Sequence, residues 1–390
     1  MIDMWSDEKI ESFRATLLAW YDAEGRDQLP WRKDQEPYHI WVSEIMLQQT
    51  QVNTVIPYYE RFMGMFPTVQ DLAAAPEQAL LKAWEGLGYY SRVRNMQKAA
   101  QQIVDDHAGV WPDDMKGLLD LKGIGPYTAA AVASISFKEP VAAIDGNAFR
   151  VYARLFKIDA DVAQPKTRNL FFELGNKLID PVRPGDFNQA IMDLGSSFMS
   201  AKNYDSENSP VKAFNASYED GTEDFYPVKS KAKKAKPITY FAVSVKSPEG
   251  FLWEQRPENG LLANFWTMPL YNLNEFIGDT DAKWTIEEMI TATEARILAD
   301  YGVQVTLEAV EGKPVTHIYT HQKWTVTILT GHITETPELS RGVWREQELL
   351  MADPQPKIQE KNLAENGEVK NALDALVIVL LSVRFNRRKC

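Results

Sequence analysis

The stretch LLDLKGIGPYTAAAVASISF, residues 118–137, decides how this chain is read. Two apolar helical patterns flank Lys122-Gly123-Ile124-Gly125-Pro126. Glycines one residue apart permit a turn too tight for side chains, and proline suits the first position of the helix that follows. The pattern predicts helix, hairpin, helix. The second helix then opens with unpaired main-chain N–H groups, a ready phosphate site at Gly123 and Gly125. An ordinary structural turn uses the same pair of glycines, so the surroundings must decide.

About twenty residues on comes AAIDGNAFRVYARL, residues 142–155, where Asp145 ends an apolar run and precedes Gly146 and Asn147. Asp145 suits the N-cap of a helix. A catalytic role is compatible with that position. Upstream, LPWRKDQEPYHIWVSEIMLQQTQV, residues 29–52, sets Glu44 inside the apolar run from Ile40 to Leu47. A carboxylate there is either solvent-exposed on one side of a helix or paired, neutralised or turned to a cavity. Two carboxyl groups on separate elements with differently tuned pKa values match the needs of glycosidic cleavage. One acid protonates the leaving group, and one anion stabilises or attacks the sugar cation.

The 390 residues suggest two or three domains. The single cysteine, Cys390, excludes a disulfide framework. The start MIDMWSDEKI lacks a signal-peptide pattern, and no apolar run has the ~20 residues needed to cross a bilayer. A cytoplasmic address with no membrane partner is expected. The net charge of -12 is spread over both halves, which argues against a non-specific nucleic-acid coat but leaves room for a local basic groove. Residues 7–198 read as helical. The polar stretch from 200 to 237 ends in Lys229, Lys231, Lys233, Lys234 and Lys236, a solvated linker or a phosphate-binding run. Short β-branched and aromatic runs after Pro237 predict an α+β domain, closed by an amphipathic helix at 367–385.

WVSEIMLQQTQVNTVIPYYERF, WEGLGYYSRVRN, LKGIGPYTA, IDGNAFRV and FNQAIMDLGS, in that order, resemble the adenine DNA glycosylases of the MutY type, within the helix-hairpin-helix glycosylase superfamily. The resemblance implies an all-α glycosylase domain at 1–215, a lysine-rich linker at 216–237 and a Nudix-like domain at 238–390. It implies hydrolysis of the bond to adenine mispaired with 8-oxoguanine or guanine in duplex DNA, leaving an abasic site, by a monomer. Glu44 would be the general acid and Asp145 would stabilise the oxocarbenium ion, with Tyr127 and Asn147 orienting them. Lyase relatives carry a lysine at the Tyr127 position for a Schiff base; tyrosine here implies base removal alone. By the same resemblance Trp31 and Arg32 line the adenine pocket, and Leu47, Gln49 and Tyr89 wedge into the stack vacated by the extruded base.

GLLANFWTMPL and VTHIYTHQKWTVTIL carry the resemblance of the second domain to Nudix pyrophosphatases. The region TIEEMITATEARILADYGVQV lacks the full set of clustered glutamates that hydrolysis needs, so recognition is the surviving role. Tyr319, Thr320 and His321 stand where the family reads 8-oxoguanine. One departure is plain. The four cysteines that hold an iron-sulfur cluster in most relatives fall on Met199, Ser206, Ser209 and Asn215, so no cofactor is expected. Either the loop is mobile or aromatic burial by Phe198, Tyr204, Phe214, Tyr218, Phe225 and Tyr226 holds it. Two other readings remain beside the glycosylase: a lesion-binding protein without catalysis and a nucleotide pyrophosphatase.

Overall fold

The computed structural model describes residues 4–231, 234–261, 263–277, 284–310, 313–319 and 321–346; the helix expected at 367–385 and Thr320 lie outside them. The chain divides into two compact units. One runs to Ala75 and resumes from Ser91 to Ala232; the other comprises Pro76–Tyr90 and the chain from Lys233.

Helices follow in chain order as α1 Asp7–Glu24, α2 Pro37–Leu47, α3 Val52–Met65, α4 Val69–Ala74, α5 Glu77–Ala83 of the second unit, α6 Ser91–Asp106 and α7 Met115–Leu119. Then come α8 Pro126–Ser136, α9 Gly146–Leu155, α10 Thr167–Leu178, α11 Pro184–Ser196 and α12 Ala216–Glu219. A helix apolar on all sides belongs in the centre of a bundle. α2 is buried at Tyr38 and from Ile40 to Met46, and α8 from Thr128 to Ile135. The two pack directly on each other, and the alanines 129–131 and 133 keep α8 thin enough for that approach. α9 buries Val151, Tyr152 and Leu155 among Phe13 and Leu17 of α1 and Phe187 and Ile191 of α11.

The hairpin forms as its residues predict. Asp114 caps α7 by accepting a bond from the Gly117 N–H at 2.7 Å. Gly123 takes φ +77°, and a Cβ there would lie 2.6 Å from that of Asn95. Gly125 then caps α8, with Pro126 at its first position. Residues 216–230, expected as linker, hold α12 and a turn at Glu223–Phe225. They are tied back to the helical unit: the Val162 N–H donates to the Val228 carbonyl and the Ser230 N–H to Asp161, both at 3.0 Å. Among the described residues no helix is long and apolar enough to cross a membrane.

The second unit is a mixed sheet of β1 Lys236–Ser247, β2 Gly250–Gln255, β3 Trp266–Thr267, β4 Leu270–Asn272, β5 Glu308–Ala309, β6 Val315–Ile318, β7 Gln322–His332 and β8 Val343–Arg345. β1 and β7 run parallel from Lys236 opposite Gln322 to Lys246 opposite His332, while β6 returns antiparallel on β7. Alternate residues face opposite sides of a strand. Phe241, Val243 and Val245 meet Ile297 and Tyr301 of a helix, Ile286–Tyr301, whereas Ala242, Trp324 and Val326 meet Trp253 on the other face. Residues 76–90 join this unit through Glu77, which accepts from Asn264 at 3.1 Å, and Tyr90, whose ring meets Phe265 edge-on. The result is the α+β architecture read from the sequence.

α11 reaches the start of α9 only because residue 195 is glycine: a Cβ there would lie 2.5 Å from that of Asn147. Gly195→Val is expected to lower stability by about 1–3 kcal/mol through overpacking. Denaturant unfolding checks this, and an unchanged midpoint would mean that the contact is looser than described.

Candidate active site

Between α2, α8 and the start of α9 lies a cavity of about 800 Å³ whose walls include Trp31, Arg32, Glu44, Leu47, Gln49, Tyr127, Asp145 and Asn147. All eight come from two segments, residues 31–49 and 127–147, and the central helix pair brings them together.

Glu44 sits mid-way along α2 with 7% of its surface exposed, and it accepts a hydrogen bond from the Tyr127 hydroxyl of α8. Burial pushes its carboxyl up to about 7, against that hydrogen bond; the Asp145 charge adds to the rise and Arg32 opposes it. At neutral pH a substantial fraction of Glu44 therefore carries a proton. Asp145 is the N-cap of α9. Its Oδ1 accepts from the N–H groups of Asn147 at 2.9 Å and Ala148 at 2.7 Å, and its Oδ2 from the Asn147 amide at 2.7 Å. Burial raises this carboxyl too, opposed by the Ala148 N–H, Arg150 and Asn147. Three donors aimed at one carboxylate favour its anion. Arg150 in turn donates to the Asn147 carbonyl oxygen and, at 2.8 Å, to the Gly195 carbonyl, which fixes the Asn147 amide toward Asp145. The N-cap and cavity readings of Asp145 describe one position.

The rest of the wall is apolar or cationic. Trp31 is buried edge-on against Tyr59. Arg32 follows it in a short turn, Pro30–Arg32, and forms a two-pronged ion pair with Asp193 at 2.7 and 2.9 Å. Leu47 ends α2, and Gln49 takes φ +60° just beyond it at the rim. Arg92 of α6 holds that turn by donating to the carbonyls of Ile45 at 2.7 Å and Gln48 at 2.8 Å. Tyr89, expected as a wedge, is 47% exposed with φ +50° and belongs to the second compact unit. In that unit Tyr319 packs on His317 and Trp324, and His321 is exposed at the turn into β7.

Sequence reading missed Gln189, which faces the cavity from α11 and accepts from the Tyr21 hydroxyl at 3.1 Å. It missed Arg26 and Asp193 as well. The only signal was their place in or beside the quoted stretches, because the pairing joins residues more than 160 positions apart.

Residues 42–177 match the model of the HhH-GPD superfamily base excision DNA repair proteins, and residues 240–365 match a NUDIX domain. The adenine DNA glycosylase of Buchnera aphidicola (subsp. Schizaphis graminum) is 34% identical over 67% of this chain and 75% of its own length. The chain belongs to the adenine DNA glycosylase family. The adenine DNA glycosylase of Arabidopsis thaliana is 39% identical over 70% of this chain; the chain spans about half of that relative, 49% of its length. Among solved structures, a thermostable thymine-DNA glycosylase superposes with a TM-score of 0.50 at 27% identity, covering 55% of this chain and 98% of its own.

The iron-sulfur cluster implied by this family does not fit the residues present. Met199, Ser206, Ser209 and Asn215 are all buried, but a thioether, two hydroxyls and an amide are not four thiolates. Three of these positions lie in a hydrogen-bonded knot around the buried Glu223 or beside it. Ser206 donates to Glu223, and the Asn215 amide donates to Glu223 at 3.2 Å and to the Ser206 hydroxyl at 3.3 Å. Ser217 donates to the Asn215 carbonyl oxygen at 2.8 Å, and the Ser209 N–H donates to the Ser206 carbonyl at 3.3 Å. Of the aromatics considered for this task, Phe214 packs on Phe13 and Phe198 on Trp20, whereas Phe225 is 71% exposed. Polar pairing thus joins aromatic burial in holding the loop.

Glu223→Ala removes the acceptor shared by the buried Ser206 and Asn215 donors and is expected to cost about 1–3 kcal/mol. Thermal unfolding, with hydrogen exchange across 199–226, checks it. Unchanged stability and protection would assign the loop to aromatic packing alone.

Proposed function

We propose that the chain is a monofunctional adenine-specific DNA N-glycosylase that removes adenine opposite 8-oxoguanine, or opposite guanine, from duplex DNA and leaves an abasic site. The observation that carries this is a buried glutamic acid, able to stay protonated near neutrality, and an aspartate that accepts three N–H bonds, on the wall of one cavity. The match to adenine DNA glycosylases supplies the base.

A purine leaves its sugar as a neutral molecule only once a ring nitrogen is protonated. Glu44 gives that proton, and the bonding pair of the C–N bond passes to the departing base. Positive charge grows on the sugar, where Asp145 faces it with its own charge fixed by three N–H donors. Water then adds to the sugar carbon and gives up a proton to the Glu44 carboxylate, which restores the acid. The reactive positions carry no amine that would form a Schiff base, because position 127 is tyrosine and its hydroxyl is engaged by Glu44. The chain ends as an intact strand with a missing base.

The adenine must leave the helical stack to enter the cavity, at a cost of a few kcal/mol. Leu47 and Gln49 at the rim are suited to fill the gap, Gln49 being presented by its left-handed backbone. Tyr89 is assigned the same task. The hairpin at Gly123 and Gly125 and the lysine-rich segment supply phosphate contacts. Recognition of 8-oxoguanine is assigned to Tyr319, Thr320 and His321 of the Nudix-like unit. Its acidic residues are used in its own structure: Glu288 caps a helix with Thr285, Glu294 accepts from the Leu307 N–H, and Asp300 pairs with Arg341. That leaves recognition rather than pyrophosphate hydrolysis as its role. No iron cofactor enters the mechanism.

Single-turnover excision on a duplex with one adenine opposite 8-oxoguanine tests the reading. Strand breaks should appear only after alkali, and Glu44→Gln should lose about 100 to 10,000-fold in rate while binding the duplex. Because Glu44 acts in its protonated form and its carboxyl is raised to about 7, activity should fall as pH rises through that value. A Glu44→Gln enzyme near the parent rate would overturn the assignment.

Replacing Tyr319 and His321 by alanine should lower the preference for 8-oxoguanine over guanine more than it lowers the rate at saturating enzyme. Affinity for each mispair measures this, and an unchanged ratio would put lesion reading elsewhere.

A further inference from the structure

Asp193 lies on α11 with its side chain 4% exposed, and it does not line the cavity. It nevertheless gathers two guanidinium groups that do. Arg32 bonds Oδ2 and Oδ1 through its two terminal nitrogens at 2.7 and 2.9 Å. Arg26 adds a bond from Nε at 2.8 Å and one from its main-chain N–H at 3.3 Å. Burial works against the Asp193 anion, yet the bonds and charges of Arg32 and Arg26 hold its carboxyl below the usual carboxylate range.

The charged and titratable groups acting on Glu44 are few. Tyr127 reaches it from α8, Arg32 from the short turn before α2, and Asp145 from the cap of α9. α3 faces the cavity with Val52, and Arg92 of α6 is tied to carbonyls at the end of α2. Arg26, Arg32 and Arg168 line the cavity with Glu44, and among the described residues Arg32 is the cation that acts on it, with a side chain only 8% exposed. A buried guanidinium needs an anion. The acidic groups that act on it include Asp193, which is ion-paired to it, and Glu44.

We propose that Asp193 is a charge lock, a positioning residue that holds Arg32 in an ion pair of its own and so keeps that cation from drawing the proton off Glu44. This rests on the reading of Glu44 as the general acid. The lock reconciles two demands on one wall. Arg32 stays beside the base as a donor, and its charge is met by an anion other than the acid. Without Asp193 the guanidinium turns to Glu44, which ionises and can no longer protonate a leaving base. A purely structural Asp193 would lower activity equally at every pH.

The test is the pH dependence of single-turnover adenine release from the duplex substrate. In Asp193→Asn the loss of activity at high pH should move about 1–3 units toward acid, the shift that an opposite charge imposes on a carboxyl at close range. Adding Arg32→Gln to that variant should return the transition to its parent position or above it. Arg32→Gln alone should not move it toward acid. An unmoved transition in Asp193→Asn, whatever its absolute rate, would overturn the lock, as would an acid shift that persists in the double variant. If Asp193→Asn does not fold, an acid shift in Arg32→Gln alone would still refute the proposal. Should Glu44→Gln remain active, the assignment of the acid fails; if that variant is inactive and the Asp193→Asn transition is unmoved, only the lock fails.

Discussion

The burial of one carboxyl group organises the helical unit. Glu44 lies on a helix apolar enough to be central, against a second central helix, α8, thin enough to let Tyr127 reach it. Raising its pKa from 4.5 to about 7 corresponds to roughly 3 kcal/mol in favour of the neutral acid. That preference is fully present below pH 4.5 and is lost as pH rises through 7. A helix pair that only needed to be stable would bury a leucine there. The position makes sense if the proposed proton transfer needs an acid that stays protonated near neutrality.

Burial raises the second carboxyl, Asp145, as well, but there local donors oppose the rise. Asp145 caps α9, so main-chain donors that every helix leaves unpaired become the groups that hold its charge. Asn147 adds a third donor, and its orientation depends on Arg150 and on the close approach of α11 at Gly195. Both acids are buried, but Glu44 meets one hydroxyl donor, whereas Asp145 meets three N–H donors. The proposed division between proton donor and anion rests on that difference in environment.

What could be read from the sequence was local. The hairpin was legible because Gly-x-Gly-Pro carries its turn geometry in residue type, and Asp145 because a cap and the residues it serves are neighbours. For Glu44 the apolar run only raised the question, leaving an exposed helix face open, and the family resemblance singled it out. The remainder depended on distance. Asp193 and Gln189 meet Arg26, Arg32 and Tyr21 from the far end of the helical unit, and no pattern along the chain announces that meeting. Residues 76–90 read as one more helical segment, yet their contacts with Asn264 and Phe265 place them in the second unit. Glu223 looked like one acid in a polar loop; it is buried because Ser206 and Asn215, standing where cysteines were expected, turn toward it. Phe225 was grouped with the aromatics of that loop and is exposed.

The chemistry proposed for this cavity turns on the protonation state of one side chain. Carbon-13 NMR of protein carrying glutamate labelled at the side-chain carboxyl reads it without substrate. One carboxyl resonance should titrate near pH 7, well above the others, and it should vanish in Glu44→Gln while the remaining resonances keep their midpoints. A spectrum in which every glutamate titrates in the ordinary range near 4 to 5, or in which the high-pH resonance survives Glu44→Gln, would contradict it.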